Sequence, residues 1–208
     1  MKETAVYKYA HAPRLPSSGP IEVATLTQAV LPLEVEIGPG RGMFLLERAE
    51  ECHDVALVGL EIRWKWAAIV DERLRRIGLD GRARVFAEDI RFLLPRLRPA
   101  GSVRAFFVHF PDPWWKKKQE KRLVVVPNVV REMARLLEPG GMLFVQTDVE
   151  DRAHAYESVL AGTDELANDG NTPGTARLSE CPWSAKGNRE KRVLEAGLQP
   201  FRLRYRRR

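Results

Sequence analysis

From Leu33 onward, apolar runs of strand length alternate with segments whose apolar residues recur every three or four positions. LEVEIG (33–38) precedes GMFLLERAEE, and VALVGLE (55–61) precedes RWKWAAIVDERLRRIG. In the latter, Trp64, Ala67, Ala68, Leu74 and Ile77 fall on one helical face. ARVFAED (83–89) leads into the short IRFLLPRL. VRAFFVHF (103–110) leads through a loop to PNVVREMARLLEPGG, where Val129, Val130, Met133, Leu136 and Leu137 make an apolar stripe that stops at a proline and two glycines. MLFVQTD (142–148) precedes VEDRAHAYESVLAG. Five strand-then-helix units in succession predict an α/β fold, a Rossmann-like, doubly wound and mostly parallel sheet.

Beyond Thr163 the pattern changes. Residues 163–188 are rich in Gly, Asn, Thr, Pro and Ser, which predicts loops around one irregular strand. The last ten residues, QPFRLRYRRR, alternate Phe201, Leu203 and Tyr205 with Arg202, Arg204 and Arg206. A two-residue period predicts an antiparallel C-terminal edge strand with one apolar and one strongly basic face. The first twenty residues, rich in Pro and Ser, read as a mobile arm, leaving 21–208 as a single domain.

Composition narrows the function classes. A chain of 208 residues fits one domain, and a net charge of +6 with 30% charged residues biases it toward anionic partners, nucleic acid foremost. Cys52 and Cys181 are too few for a disulfide framework and lie in no CxxC arrangement, which fits a reducing, cytoplasmic setting. His11, His53, His109 and His154 lack the short pairwise spacings of metal sites, so no metal is expected. No window has the roughly 18 apolar residues that span a bilayer, so no membrane partner is expected either. A monomer and a homodimer are equally compatible with the chain.

In a doubly wound sheet the ligand lies outside the carboxyl ends of the strands, where strand order reverses. Every predicted strand ends near an acid: Glu36, Glu61, Glu88 with Asp89, Asp112 and Asp148. EIGPGRG (36–42) puts Gly38, Gly40 and Gly42 in a strand-to-helix turn, where glycine lets backbone approach a ligand closely. Its GxGxG spacing is one residue shorter than the dinucleotide GxGxxG. Glu61, 23 residues after Gly38, is placed to accept both ribose hydroxyls of a nucleoside. A pyrophosphate would be repelled by Glu36, whereas the ammonium and sulfonium of S-adenosyl-L-methionine would be attracted. The methyl donor is therefore the expected cofactor, and a nicotinamide-dependent oxidoreductase the weaker alternative.

After the fourth strand comes FPDPWWKKKQEKR (110–122). Pro111 and Pro113 stiffen the backbone on both sides of Asp112 and remove two donors. Trp114 and Trp115 are suited to stack on a base or to plug a core. Lys116, Lys117, Lys118, Lys121 and Arg122 follow at the active end of the sheet.

In order and spacing, EIGPGRG, GLE, FPDPWWKKKQEKR and QTD resemble the bacterial tRNA (guanine-N7)-methyltransferase family of class I S-adenosylmethionine-dependent enzymes. The resemblance runs from about Leu33 to the C-terminus. It implies donor binding by Glu36, Glu61, the Glu88/Asp89 position and Asp112, with Asp112 the catalytic candidate. It also implies tRNA or guanine contacts by Lys116 and Asp148; Trp114 on the base and Arg122 on phosphate are expected from their chemistry at this end of the sheet. Near the end the family carries Thr-x-(Tyr/Phe)-Glu, onto which GNRE (187–190) aligns: Glu190 is kept as a substrate-side residue, while Gly187 and Arg189 replace the threonine and the aromatic. That departure keeps a methyltransferase of another RNA base atom as the alternative reading.

Overall fold

The computed structural model describes residues 8–111 and 123–208. Its elements in chain order are β1 (Ile21–Glu22), β2 (Leu33–Ile37), α1 (Met43–Glu51), β3 (Ala56–Glu61), α2 (Trp64–Arg76), β4 (Ala83–Ala87), α3 (Ile90–Leu93), β5 (Leu97–Arg98), β6 (Val103–His109), α4 (Pro127–Leu136), β7 (Leu137–Thr147), α5 (Glu150–Ala161), β8 (Leu166–Asn168), β9 (Arg177–Leu178), α6 (Asn188–Glu195) and β10 (Phe201–Arg207). The five expected strand-then-helix units are β2–α1, β3–α2, β4–α3, β6–α4 and β7–α5.

The main sheet runs β4-β3-β2-β6-β7-β10-β8, with β9 also paired to β10, while β1 and β5 form a separate parallel pair. β2 is parallel to both β3 and β6, so strand order reverses between β2 and β6. β10 runs antiparallel to β7, pairing Phe201 with Thr147 and Arg206 with Met142. It is not the edge strand expected: β8 and β9 cover its outer side. The polar 163–188 segment, expected to hold one irregular strand, supplies both of these short ones.

Both faces of the sheet are covered. On one, Leu33, Val35, Ile37, Phe106, Val108, Leu143 and Val145 pack with Val129, Val130 and Met133 of α4. On the other, Leu57 and Val85 meet Ala67, Ala68 and Leu74 of α2. The face expected for α2 ends early, because Ile77 caps the helix and is half exposed. The alternation in LEVEI follows from the same arrangement. Val35 and Ile37 enter the apolar face, and Glu34 and Glu36 are buried on the opposite one. A buried carboxylate needs a partner. Arg48 of α1 answers Glu34 with two hydrogen bonds of 2.9 Å.

From residue 12 the N-terminal segment lies against the sheet. Ala12 is buried beside the α1/α2 side of the core, Pro13 O accepts from Ala87 N, and Leu15 N donates to Glu88 Oε1 at 2.8 Å. Among the described residues no helix is long and apolar enough to cross a membrane.

Candidate active site at the strand-order reversal

The turn between β2 and α1 has Gly38, Gly40 and Gly42 all at positive φ. Gly42 is required twice over: it sits at φ 73° as the N-cap of α1, and a Cβ there would lie 2.3 Å from Val70 Cγ1 of α2. Beside this turn, a cavity at the carboxyl ends of β2, β3, β4 and β6 is lined by Gly38, Glu61, Arg63, Glu88, Asp89 and His109, among others. Four of the predicted donor-site positions therefore converge here. Glu36 stands two residues before Gly38, inside β2.

Register explains the neighbourhood of Glu36. Glu36 pairs with Phe107, Phe107 with Phe144, His109 with Gln146, and Gln146 with Arg202. Register partners share a face, so Glu36, His109, Gln146 and Arg202 form a polar row across β2, β6, β7 and β10. His109 Nδ1 lies 3.0 Å from Glu36 Oε1, with both side chains almost fully buried. Phe44 of α1 packs edge-on against the imidazole at 4.1 Å between ring centres. Among the described residues, the buried side-chain polar atoms without a partner are Glu36 Oε2, His109 Nε2, Gln146 Oε1, Arg202 Nε, Trp183 Nε1 and Asn188 Oδ1. The first four lie on this row. The other two belong to the segment just before and at the start of α6, where Trp183 meets the rings of Phe107 and Phe144. Buried polar atoms are nearly always satisfied, so exceptions gathered at one place mark it for a ligand. An unpaired carboxylate oxygen buried at the strand reversal suits a cationic group and repels a phosphate.

The other acids are engaged. Glu61 accepts from Gly40 N at 2.9 Å, and from the Arg63 backbone N–H at 2.9 Å and Arg63 Nε at 3.0 Å. Its carboxylate is buried whereas the Arg63 side chain is half exposed, so Arg63 is the displaceable partner. Asp89 is the N-cap of α3, accepting from Arg91 N at 3.1 Å, and also binds the Arg91 guanidinium. Helix capping thus accounts for one acidic strand end. Sequence reasoning missed His109, Arg63 and Arg91. The parallel Glu61-Ile62-Arg63 and Asp89-Ile90-Arg91 triplets were the legible signal for the two arginines.

β6 leaves the site through Phe110, whose φ of 46° is rare for a bulky residue and costs about 1–3 kcal/mol. Its N–H donates to Gln146 O at 2.8 Å, and Pro111 follows. Asp112, Trp114, Trp115, Lys116 to Lys118, Lys121 and Arg122 lie outside the described residues.

On the far side, Asp148 follows β7 and is held by Arg189 of α6 through Nη2 at 2.8 Å and Nε at 3.2 Å. Glu190, expected as a substrate-side residue, lies inside the protein. It is fully buried, accepting from Gln146 Nε2 at 3.0 Å and Arg202 Nη2 at 3.2 Å. The basic face expected of the last strand is likewise consumed internally: Arg202 binds Glu190, and Arg204 and Arg206 both bind Asp169. Asp169 directly follows β8 and Glu190 belongs to α6, partners that strand periodicity alone does not reveal. Burial is the leading cause that pushes the thiols of Cys52 and Cys181 up, so neither is an activated nucleophile. Among the described residues no cluster of His, Cys, Asp and Glu could hold a metal ion.

Comparison with known proteins agrees with this geometry. Residues 31–203 match the family described as "Putative methyltransferase". A tRNA (guanine-N(7)-)-methyltransferase of Anaeromyxobacter dehalogenans is 41% identical over 173 residues, covering 83% of this chain and 84% of that one. One of Myxococcus xanthus is 34% identical over 174 residues, covering 83% and 82%. Among solved structures, the 16S rRNA methyltransferase KamB superposes with a TM-score of 0.60 at 14% identity, covering 85% of this chain and 87% of that one. The aminoglycoside resistance methyltransferase NpmB1 gives 0.55 at 18% identity, covering 88% and 89%. At such identities these two speak for the fold alone. With its strand order, its acid-lined cavity and these relatives, the chain belongs to the tRNA (guanine-N(7)-)-methyltransferase family.

Proposed function

We propose that this protein methylates N7 of a guanine in the variable region of tRNA, using S-adenosylmethionine. The observation that carries the reading is the buried, half-unpaired carboxylate of Glu36 at the strand reversal, with Glu61, Glu88 and Asp89 around the adjoining cavity. When bound, S-adenosylmethionine supplies an electrophilic methyl group on a sulfonium. Glu36 and the glycine turn hold its amino-acid end, Glu61 the ribose once Arg63 is displaced, and the Glu88/Asp89 position the adenine side. His109 keeps the Glu36 carboxylate oriented from the neighbouring strand.

Guanine N7 carries a lone pair on the major-groove edge, so no general base is needed. The chain's task is alignment and electrostatics. Asp148 accepts from the N1–H and amino edge of the base, fixing it and stabilising the positive charge that methylation creates. Asp112 remains the catalytic candidate in this reading, with Trp114 on the base and Lys116 and Arg122 on phosphates. The strained Phe110 and Pro111 end β6 at the rim of the cavity, directly before that stretch of sequence.

The test incubates bulk tRNA with isotope-labelled methyl donor and identifies the modified nucleoside by mass spectrometry. 7-Methylguanosine is the expected product. A different methylated nucleoside would transfer support to the alternative, an enzyme acting on another RNA atom, and absence of transfer would reject both.

A further inference from the structure

α6 reaches the end of β7 through two consecutive residues of opposite charge, and they meet very different surroundings. Glu190 is sealed between Gln146 and Arg202, with 1% and 4% side-chain exposure for the two charged partners. Arg189, one residue earlier, forks onto both oxygens of Asp148, with 53% exposure for the arginine and 20% for the aspartate. The buried contact fixes the helix. The exposed one hangs from it and can open without disturbing the fold, since an exposed ion pair contributes only about 0–1 kcal/mol.

Asp148 has conflicting duties under the function proposed above. It must be anionic to receive the N1–H and amino edge of guanine, yet an uncovered carboxylate at the substrate side repels an approaching polyanion. Arg189 resolves the conflict because its guanidinium can serve either partner. We infer that Arg189 is a specificity-determining latch. In the RNA-free protein it neutralises and orients Asp148. When the guanine edge takes over the carboxylate, the guanidinium passes to a tRNA phosphate close to the target base. This rests on Asp148 being a substrate contact. It gives the arginine that interrupts the expected Thr-x-aromatic-Glu pattern a role an aromatic ring cannot fill, since a ring neither neutralises a carboxylate nor binds a phosphate.

Arg189→Ala, Arg189→Lys, Asp148→Asn and the Asp148→Asn/Arg189→Ala pair separate the possibilities. Arg189→Ala should raise KM for tRNA about fivefold, more than it lowers kcat, and should reduce the slope of log KM against log salt by about 0.9, one phosphate contact. Arg189→Lys should recover the salt slope but only part of KM, as a point charge lacks the fork. Asp148→Asn releases the arginine permanently. It should bind tRNA about threefold more tightly than wild type while kcat falls about tenfold or more, and the tightening should vanish in the double variant. Donor affinity and thermal midpoint should stay near wild type throughout, which a merely structural role for Arg189 would not allow. An unchanged salt slope in Arg189→Ala, or no tightening in Asp148→Asn, overturns the latch. A wild-type kcat in Asp148→Asn instead overturns Asp148 as a substrate contact, even if the salt slope in Arg189→Ala shifts.

Discussion

Arg202→Ala tests whether Glu190 is scaffold rather than substrate contact. The two groups sit 3.2 Å apart with 4% and 1% exposure. At an effective dielectric of about 20, Coulomb attraction at that distance is about 5 kcal/mol, before the cost of desolvating both ions is set against it. Removing only the arginine leaves the carboxylate buried with Gln146 as its sole remaining partner of the two, which costs about 3–5 kcal/mol. That is a large part of a total stability of about 5–15 kcal/mol, and at this chain length it lowers the thermal midpoint by roughly 10 °C. Replacing both, Glu190→Gln with Arg202→Met, removes the orphaned charge and should return most of the loss. Urea and thermal unfolding followed by circular dichroism give the values. A loss below about 1 kcal/mol in Arg202→Ala, or a double variant as unstable as the single, refutes the reasoning. The double variant should also keep KM for tRNA within about twofold, and a larger rise would return Glu190 to the substrate side.

Two further outcomes are expected. Glu36→Gln should weaken S-adenosylmethionine about tenfold or more by calorimetry, because a charged hydrogen bond of about 1.5–3 kcal/mol is lost at a buried site, and unaltered affinity would remove Glu36 from the donor site. The Tyr205 phenol is pushed up from its ordinary 10.0 to about 12, first by burial and then by the charge of Glu157. A folded-state value above the unfolded one stabilises below pH 10 and is lost as the pH rises from 10 toward about 12. The urea midpoint should therefore fall across that window, less steeply in Tyr205→Phe, while phenolate absorbance from this residue appears only near its upper end.

The layered α/β fold was legible from hydrophobic spacing. Runs such as VALVGLE and VRAFFVHF can be satisfied only inside a sheet covered on both faces, and the stripe of Val129, Val130 and Met133 only as a helix over it. The acids at the strand ends were legible as well, because a parallel strand delivers its last residues to a single rim. What each acid does there was not, since a partner can come from anywhere in the chain. Glu61 meets Arg63, Asp89 caps its own helix, and Asp148 is held by Arg189 of α6. The basic alternation of the last strand misled for the same reason: periodicity assigns a residue to a face, whereas Asp169 after β8 and Glu190 of α6 decide what neutralises it. Local sequence determines period and therefore which residues share a surface. Charge pairing at long range is a property of the assembled chain, so the polar row from Glu36 to Arg202 and the Arg189–Asp148 latch exist only in three dimensions.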